Sequence, residues 1–505
     1  MINFFHRLKT IHFSPLKILI SFSVLFLIFQ FIVITPIKLE LENGPKFDWP
    51  DEVANYFWVR ELSTNHRLAI PEPVNSFADN LVHPRSFNVN FSGSLVPGSF
   101  LGLIILYAFL AKFFGLGAII YFTPLVMLGG VWAFYFLLKK VFSSEKIALF
   151  SSILLLFSAP WQYYSFESLL PNVPFTSFVL ISLAVLIYLK KNQLCLWGAF
   201  GLFSGLALAI RPAEFVWLAL IYFVILVSKK KEFSLLGVVV MILGAWLAIF
   251  PSLFFQELIY GSFLISGYDK LPELVIQTNP VIRLLKQALI PFGFHPWLAV
   301  SNFWHYFILS SPFTALFSVF GIFLYLKKWR EQTKSSKLYF WLTIFIFVWL
   351  LNYYGSWQFE DLRTLRLNQL GASYVRYWLI LFVLSLPFVS LVIDEVSRRW
   401  KLKYFSLVVL IIFSAISFQQ ILFSDPNNIL AVRRKVSANR IMAAKLLKDL
   451  PDQAIIITSR SDKIFFPERR VIETYGLRGD LNKILPILKK LAPIYQHENG
   501  ALIEL

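Results

Sequence analysis

Charge is scarce in this chain. Asp, Glu, Lys and Arg together make up 15% of its 505 residues, against about 25% in an ordinary soluble domain. That shortage excludes a water-soluble globular fold. Acidic residues are the rarer sign, 29 against 47 Lys and Arg. The single cysteine, Cys195, lies in an apolar run. It excludes an intrachain disulfide and a cysteine-based metal site, and says nothing of redox compartment. No internal repeat and no low-complexity linker is present. His66, His83, His295 and His305 show none of the short spacings of a zinc ligand pair. What fills the chain instead is apolar: 57% hydrophobic and 18% aromatic, with 54 Phe and a mean hydropathy of +0.66. This is the composition of a polytopic membrane protein. The net charge of +18 comes in short clusters between apolar runs, which is the pattern of cytoplasmic loops rather than of nucleic-acid binding.

Apolar runs predict about eleven spans, near 16–36, 117–138, 147–164, 174–189, 194–210, 214–228, 234–255, 305–326, 338–354, 374–393 and 404–422. The first follows His6, Arg7, Lys9 and Lys17. It is long for a signal core and no small-x-small cleavage site follows, so it reads as an uncleaved span with its amino terminus inside. The clusters Lys139/Lys140/Lys146, Lys190/Lys191, Lys229/Lys230/Lys231, Lys327/Lys328/Arg330 and Arg398/Arg399/Lys401 then all fall on that side, making those loops cytoplasmic and the site plasma-membrane. Four longer segments lie outside: 37–116, 256–304, 355–373 and the tail from 424. The stretch from Val96 to Phe114 is long enough to span. Counting it would invert every later loop, so it is expected to lie as a helix in the outer headgroup layer.

The tail carries 14 Lys and Arg against 9 Asp and Glu from Asp425 onward. Leu430, Val436, Ile441, Met442 and Leu446 suggest an amphipathic helix, 454–458 a buried strand, and 481–491 a second helix. The expected fold is an α-helical polytopic membrane unit over 1–423 and a small α/β extracytoplasmic domain over 424–505.

Two neighbouring carboxylates, Asp51 and Glu52, sit just outside the first span, in Asp48-Trp49-Pro50-Asp51-Glu52. The segment looks like a helix start, with Asp48 as cap, Pro50 in the first turn and the acids where the helix dipole favours anions. Asn55 and Tyr56 follow one turn later. Acids favour helix starts in any case. A repelling pair at a membrane surface can also raise one pKa toward that of a general base. Glu167, after Tyr163-Tyr164-Ser165-Phe166, is a carboxylate at a predicted membrane edge, expensive unless paired. Arg211, before Pro212, and Arg376 sit at outer ends of spans. Each either snorkels to the interface or clamps a phosphate with its planar guanidinium. His83, in His83-Pro84-Arg85, either contacts substrate or is structural. Asp361, Arg363 and Arg366 read equally as a solvated charge run.

The order of short motifs resembles the GT-C membrane glycosyltransferases, in particular the protein O-mannosyltransferase and lipid A aminoarabinose transferase branches. Pro50-Asp51-Glu52-x-x-x-Tyr56 after a first span is similar to the family's external acidic pair. Val96-Pro97-Gly98 through Phe114-Gly115 looks like its surface helix. Gly201 through Arg211-Pro212 looks like its Gly-rich span. Pro251 through Tyr260-Gly261-Ser262-Phe263, with Gly267-Tyr268, and Gly371 through Arg376-Tyr377 are similar to later segments. The resemblance implies a sugar donor on a polyprenyl phosphate, transfer on the outer face to a protein, lipid or glycan acceptor, and inversion. It implies Asp51 as the base with Glu52 beside it, Arg211 and Arg376 on the donor phosphate, and Glu167, Tyr56, His83 and Tyr268 as substrate or metal contacts. The family often has Asp where this chain has Glu167. It is divided on metal dependence; Mg²⁺ or Mn²⁺ among Asp51, Glu52 and Glu167 would suit hard oxygen ligands, and no metal is assigned. The rival reading is a transporter or flippase of lipid-linked sugars, which would carry repeats and mid-membrane charges. A scaffold in the cell envelope would not need the acidic pair.

Overall fold

The computed structural model describes residues 14–38, 47–269, 288–358, 370–402, 404–424, 428–475, 480–498 and 500–505. His6, Arg7, Lys9, Asp361, Arg363 and Arg366 lie outside the described residues. Among the described residues six helices are long and apolar enough to cross a membrane: Pro15–Ile32, Leu116–Phe142, Leu235–Tyr260, Lys334–Tyr353, Ser373–Arg399 and Phe405–Phe423. Three bent pairs meet the same test together: Glu145–Leu156 with Ala159–Phe166 at 47°, Leu194–Ile210 with Pro212–Ser228 at 114°, and Pro296–Ile308 with Pro312–Lys327 at 106°. The predicted count of eleven separates the arms of the middle pair and includes the shorter Asn172–Tyr188 helix.

Proline explains where predicted runs break. The run at 305–326 is not one helix: it turns at Ser311, whose φ of −148° and ψ of 72° are non-helical, just before Pro312. A residue preceding proline is pushed out of the helical region, and proline itself cannot donate into the turn. The 147–164 run bends at Ser158, whose φ of −63° and ψ of 126° are extended, with Pro160 in the first turn of the helix that follows.

Glycine sets one of the close helix crossings. A Cβ at Gly201 would stand 2.0 Å from the Met241 carbonyl oxygen, and one at Gly205 2.8 Å from that of Ala245. The small faces four residues apart let Leu194–Ile210 lie against Leu235–Tyr260 backbone to backbone. The far side of Leu235–Tyr260 exposes Leu243, Trp246, Leu247, Phe254 and Leu258, as a helix facing lipid tails would.

The expected surface helix begins later than predicted. Leu95–Pro97 is a strand, β2, paired antiparallel with β1, Phe87–Val89, and the helix runs Leu101–Phe114. Pro97 and Gly98 favour the extended hairpin over a helical start. Phe109, Phe113 and Phe114 are exposed on it, while Leu103, Ile104 and Tyr107 are buried.

The tail forms its helix at Ile429–Leu446 and a four-stranded sheet. Its order is β4 (Arg470–Glu473), β3 (Ile455–Thr458), β5 (Ile494–Glu498) and β6 (Ala501–Glu504). β3 is parallel to both neighbours, and β6 returns antiparallel on β5. The last predicted helix is Leu481–Leu488. This unit sits on the first loop. Ala78 and Val82 join Ile455, Ile457, Ile472 and Ile494 in one apolar cluster, and Phe466 stacks 5.0 Å from both Phe57 and Phe87.

Candidate active site

Helix Pro50–Asn65 begins with proline in its first turn and Trp49, not Asp48, at the cap position. Asp48 is drawn away: its carboxylate and carbonyl both accept from the Lys463 ammonium, a stronger partner than a backbone N–H. The helix then sends its two acids in different directions. Asp51 is 31% exposed; one carboxylate oxygen accepts from the Ser86 hydroxyl at 2.6 Å and the other pairs with Arg376 Nη2 at 2.7 Å. Glu52 is 1% exposed and faces the turn after Phe166, where it accepts from the Leu169 N–H at 3.4 Å.

That turn carries Glu167, which is also buried. Its carbonyls are held one by one: Thr123 Oγ1 donates to Ser168, and Asn55 Nδ2 to Leu169 at 2.8 Å. Glu52 and Asn55 therefore fasten the Glu167 turn to the helix that carries Asp51. Tyr56 lies with its ring 5.3 Å from Phe47.

The expected mutual repulsion of Asp51 and Glu52 is not what governs Asp51. Burial works to raise its pKa, but the Arg376 charge, the hydrogen bonds from Ser86 and Arg376, and the Arg85 charge outweigh it and hold the carboxyl below its ordinary value. The helix places the two side chains on different neighbours, so a cation rather than the second acid sets the titration.

Arg376 is 7% exposed, in the short helix Ser373–Trp378 that leads into Leu379–Arg399. Its backbone is anchored by Asn172 Nδ2, which donates to the Arg376 carbonyl at 3.2 Å. The Tyr164 hydroxyl bridges the carbonyls of Leu370 and Ala372 at 2.8 and 2.7 Å. Nη2 serves Asp51 and reaches the Tyr377 hydroxyl at 3.4 Å. Nε and Nη1 are buried with no hydrogen-bond partner among the described residues. A buried donor left in that state costs about 1–3 kcal/mol.

Arg211 ends helix Leu194–Ile210 and is differently provided for. Nε donates to Glu214 at 3.1 Å and Nη2 to the Tyr354 hydroxyl at 2.6 Å; Glu214 in turn accepts from Trp217 Nε1 at 2.6 Å. The Tyr377 ring lies between the two arginines, 5.1 Å from Arg211 Cζ and 5.2 Å from Arg376 Cζ. Tyr268 comes to the same place and interacts electrostatically with Asp51, Tyr377, Arg376 and Arg211. Its loop is docked by Asn88 Nδ2, which donates to the carbonyls of Gly267 and Asp269 at 3.0 Å each. Glycine is required at 267, where a Cβ would meet the Pro97 oxygen at 2.4 Å.

Of the residues singled out by sequence, Asp51, Arg376, Arg211 and Tyr268 converge, and Glu52 reaches the turn that carries Glu167 through the Leu169 amide. His83 does not join them. Its Nδ1 lies 2.9 Å from the Pro84 carbonyl and its backbone bridges to Ile472. It lines a cleft of about 390 Å³ against the tail, with Phe57, Arg60, Glu72, Phe466 and Arg470. Burial lowers its pKa, opposed by the Pro84 contact and the Asp462 charge.

Among the described residues no three His, Cys, Asp or Glu side chains gather as metal ligands. Asp51, Glu52 and Glu167 do not form a donor set that fits Mg²⁺ or Mn²⁺, because Asp51 is turned to Ser86 and Arg376 and Glu52 to a backbone amide.

Ser86, Glu214 and Tyr354 escaped the sequence reading. Ser86 carries the one usable signal, visible only in three dimensions: a φ of +62° in a non-glycine residue, a conformation held against its steric preference. The Ser86 carbonyl accepts from Gly98 at 3.1 Å, and a Cβ at Gly98 would stand 2.6 Å from that oxygen.

Fold and site together define a class: a polytopic helical membrane protein with an acid–arginine pair where the first loop meets a late helix. Among solved structures, ArnT from Cupriavidus metallidurans bound to undecaprenyl phosphate superposes with a TM-score of 0.52, covering 94% of this chain and 93% of that one at 12% identity. The likeness is one of fold. No family model matches the chain, and no curated protein matches it in sequence.

Proposed function

We propose that this chain is a glycosyltransferase that takes a sugar from a polyprenyl-phosphate donor and passes it, with inversion, to an acceptor at the outer face of the membrane. The observation that carries the reading is Arg376: a buried guanidinium with one edge on Asp51 and two donors, Nε and Nη1, without a partner among the described residues. A phosphate oxygen supplies the acceptor such a donor needs, in the charge-assisted hydrogen bond that a guanidinium makes to phosphate. The fold shared with a protein solved with undecaprenyl phosphate supports the same choice of donor.

In the reaction, an acceptor hydroxyl attacks the anomeric carbon while Asp51 takes its proton. The new bond forms from the acceptor oxygen, the bond from the anomeric carbon to the phosphate oxygen breaks, and its electron pair leaves on the phosphate. The lipid phosphate departs as an anion, so the leaving side needs a cation rather than an acid; Arg376 supplies it. Arg211, already neutralised by Glu214, holds Tyr354 and Tyr377 against that pocket rather than gripping the phosphate itself. Donor binding also changes Asp51. An anion on Arg376 offsets the charge that depresses the Asp51 pKa, so the base strengthens when the donor is in place. The outer-facing orientation and the identification of Asp51 as base belong to this proposal.

The test is donor binding. Arg376→Gln, which keeps an amide donor but loses the charge, is expected to weaken binding of polyprenyl phosphate by roughly tenfold or more, the scale of a charge-assisted hydrogen bond. Arg211→Gln should weaken it less. Unchanged affinity in Arg376→Gln would remove the phosphate from this pocket.

A further inference from the structure

An apolar cavity of about 420 Å³ opens between helices Ile119–Phe142, Asn172–Tyr188, Phe215–Ser228, Lys334–Tyr353 and Leu379–Arg399, with Trp217 and Ile380 at its end toward the arginines and lysines at the other. Val179, Leu183, Leu218, Ile221, Leu338 and Leu342 line it. At one end the lining turns polar and cationic, with Lys140, Lys229 and Lys334 beside Ser228 and Ser335. That is the end where the first and third of those helices finish and the fourth begins, the lysine-rich side that the charge pattern assigns to the cytoplasm.

The three lysines differ from their neighbours. Lys139 is paired with Glu145 and Lys328 with Glu395. Lys140 and Lys334 are exposed and make no ion pair among the described residues. Lys229 donates to the carbonyls of Leu186, Ile187 and Leu189 at 3.1, 2.7 and 2.9 Å. Those bonds use all three ammonium protons and pin a cation at the closing turn of Asn172–Tyr188, with the Glu232 charge nearby. Three fixed or available cations at the mouth of an apolar slot suit a ligand with an anionic head and a hydrocarbon tail. The slot has the volume of a ligand pocket, and its walls offer little to hydrogen-bond a peptide backbone, which hydrocarbon surroundings would leave unsatisfied.

We propose that this cavity holds an acyl chain of an anionic phospholipid from the adjoining leaflet, with the lipid phosphate between Lys140 and Lys334 and near Lys229. The site is separate from the proposed donor phosphate site. Arg376 stands at the start of the helix leading to Leu379–Arg399 and the lysines beyond the opposite end of that helical layer. The inference does not depend on any sugar transfer.

The experiment uses the full chain purified in detergent, with bound lipid counted by native mass spectrometry. It is offered phosphatidylglycerol, phosphatidylcholine with the same acyl chains, and polyprenyl phosphate. The wild type is expected to retain phosphatidylglycerol over phosphatidylcholine by roughly tenfold, the scale of two lysines acting on an anionic head. Lys140→Glu combined with Lys334→Glu should abolish that preference while leaving thermal unfolding in detergent alone unchanged. Ile221→Trp, which fills the slot from its wall, should reduce retention of both phospholipids. Equal retention of the two phospholipids by the wild type, or a preference that survives the double charge reversal, would overturn the proposal. Polyprenyl phosphate outcompeting phosphatidylglycerol in a lysine-dependent manner would overturn the phospholipid assignment as well.

Discussion

At Asp51 the chemistry turns on one ion pair. Burial alone would raise the carboxyl pKa, yet Arg376, Ser86 and Arg85 bring it below its ordinary value. A depressed folded-state pKa means the carboxylate stays ionised at neutral pH and is protonated only as pH falls below the usual carboxylate range. The acid limb of kcat/KM, which reports the free enzyme, is therefore expected at low pH. The limb of kcat, which reports the donor complex, should lie at higher pH, because the donor phosphate offsets Arg376. Two limbs at the same pH would contradict the coupling between donor and base. In Arg376→Gln both limbs should move upward. Glu52 is the contrasting case: the same helix turn gives it a backbone amide rather than a cation, and it fastens the Glu167 turn.

The elements around the site are held together by contacts that a sequence pattern does not show. Arg85 donates from its backbone and side chain to Asp462 at 2.7–2.9 Å, and Lys463 clasps Asp48. The tail sheet thereby grips both sides of the Asp51 segment: the residue before Ser86, and the loop that starts the helix. Asp462→Asn is expected to lower stability by about 1.5–3 kcal/mol, the size of a hydrogen bond to a charged group. Thermal unfolding in detergent measures it. Transfer should fall with kcat affected more than donor affinity, since the Arg376 donors are untouched. At the membrane end, Gly201→Val forces two backbones apart where a Cβ already has only 2.0 Å. Overpacking of that kind costs about 1–3 kcal/mol, and a thermal unfolding midpoint equal to wild type would show that the two helices do not cross as described. Gly201 stands in the Gly-rich span visible in the sequence; its reason, a backbone contact with Met241, was not visible there.

At the scale of the whole molecule, the apolar runs were enough to anticipate a polytopic helical membrane fold, and the pattern of the tail a small α/β unit. They also led to Asp51, Arg376, Arg211 and Tyr268, because acids and arginines at the ends of apolar runs are rare enough to stand out. Their partners did not stand out. Ser86 is one serine among many, and its value lies in a positive φ set by a hairpin. Glu214 sits three residues after Arg211, where only the 114° bend between the helices shows that the two side chains meet. β4 and β5 are too short and mixed in character to be told from loop, and acquire meaning by pairing with β3. The place of His83 was not legible for a similar reason: nothing local indicates that its loop turns toward Ile472. The proposed function stands or falls with Asp51 performing chemistry in a pocket that Arg376 equips for a lipid phosphate. The most direct measurement offers radiolabelled polyprenyl-phosphate sugars and membrane acceptors to purified wild type and Asp51→Asn, following donor binding and sugar transfer in the same preparations. Transfer by the wild type is expected, with a loss of at least about a hundredfold in Asp51→Asn, the low end for a catalytic base, and donor still bound. Transfer at the wild-type rate by Asp51→Asn, or donor bound and moved across the membrane intact by both proteins, would contradict it.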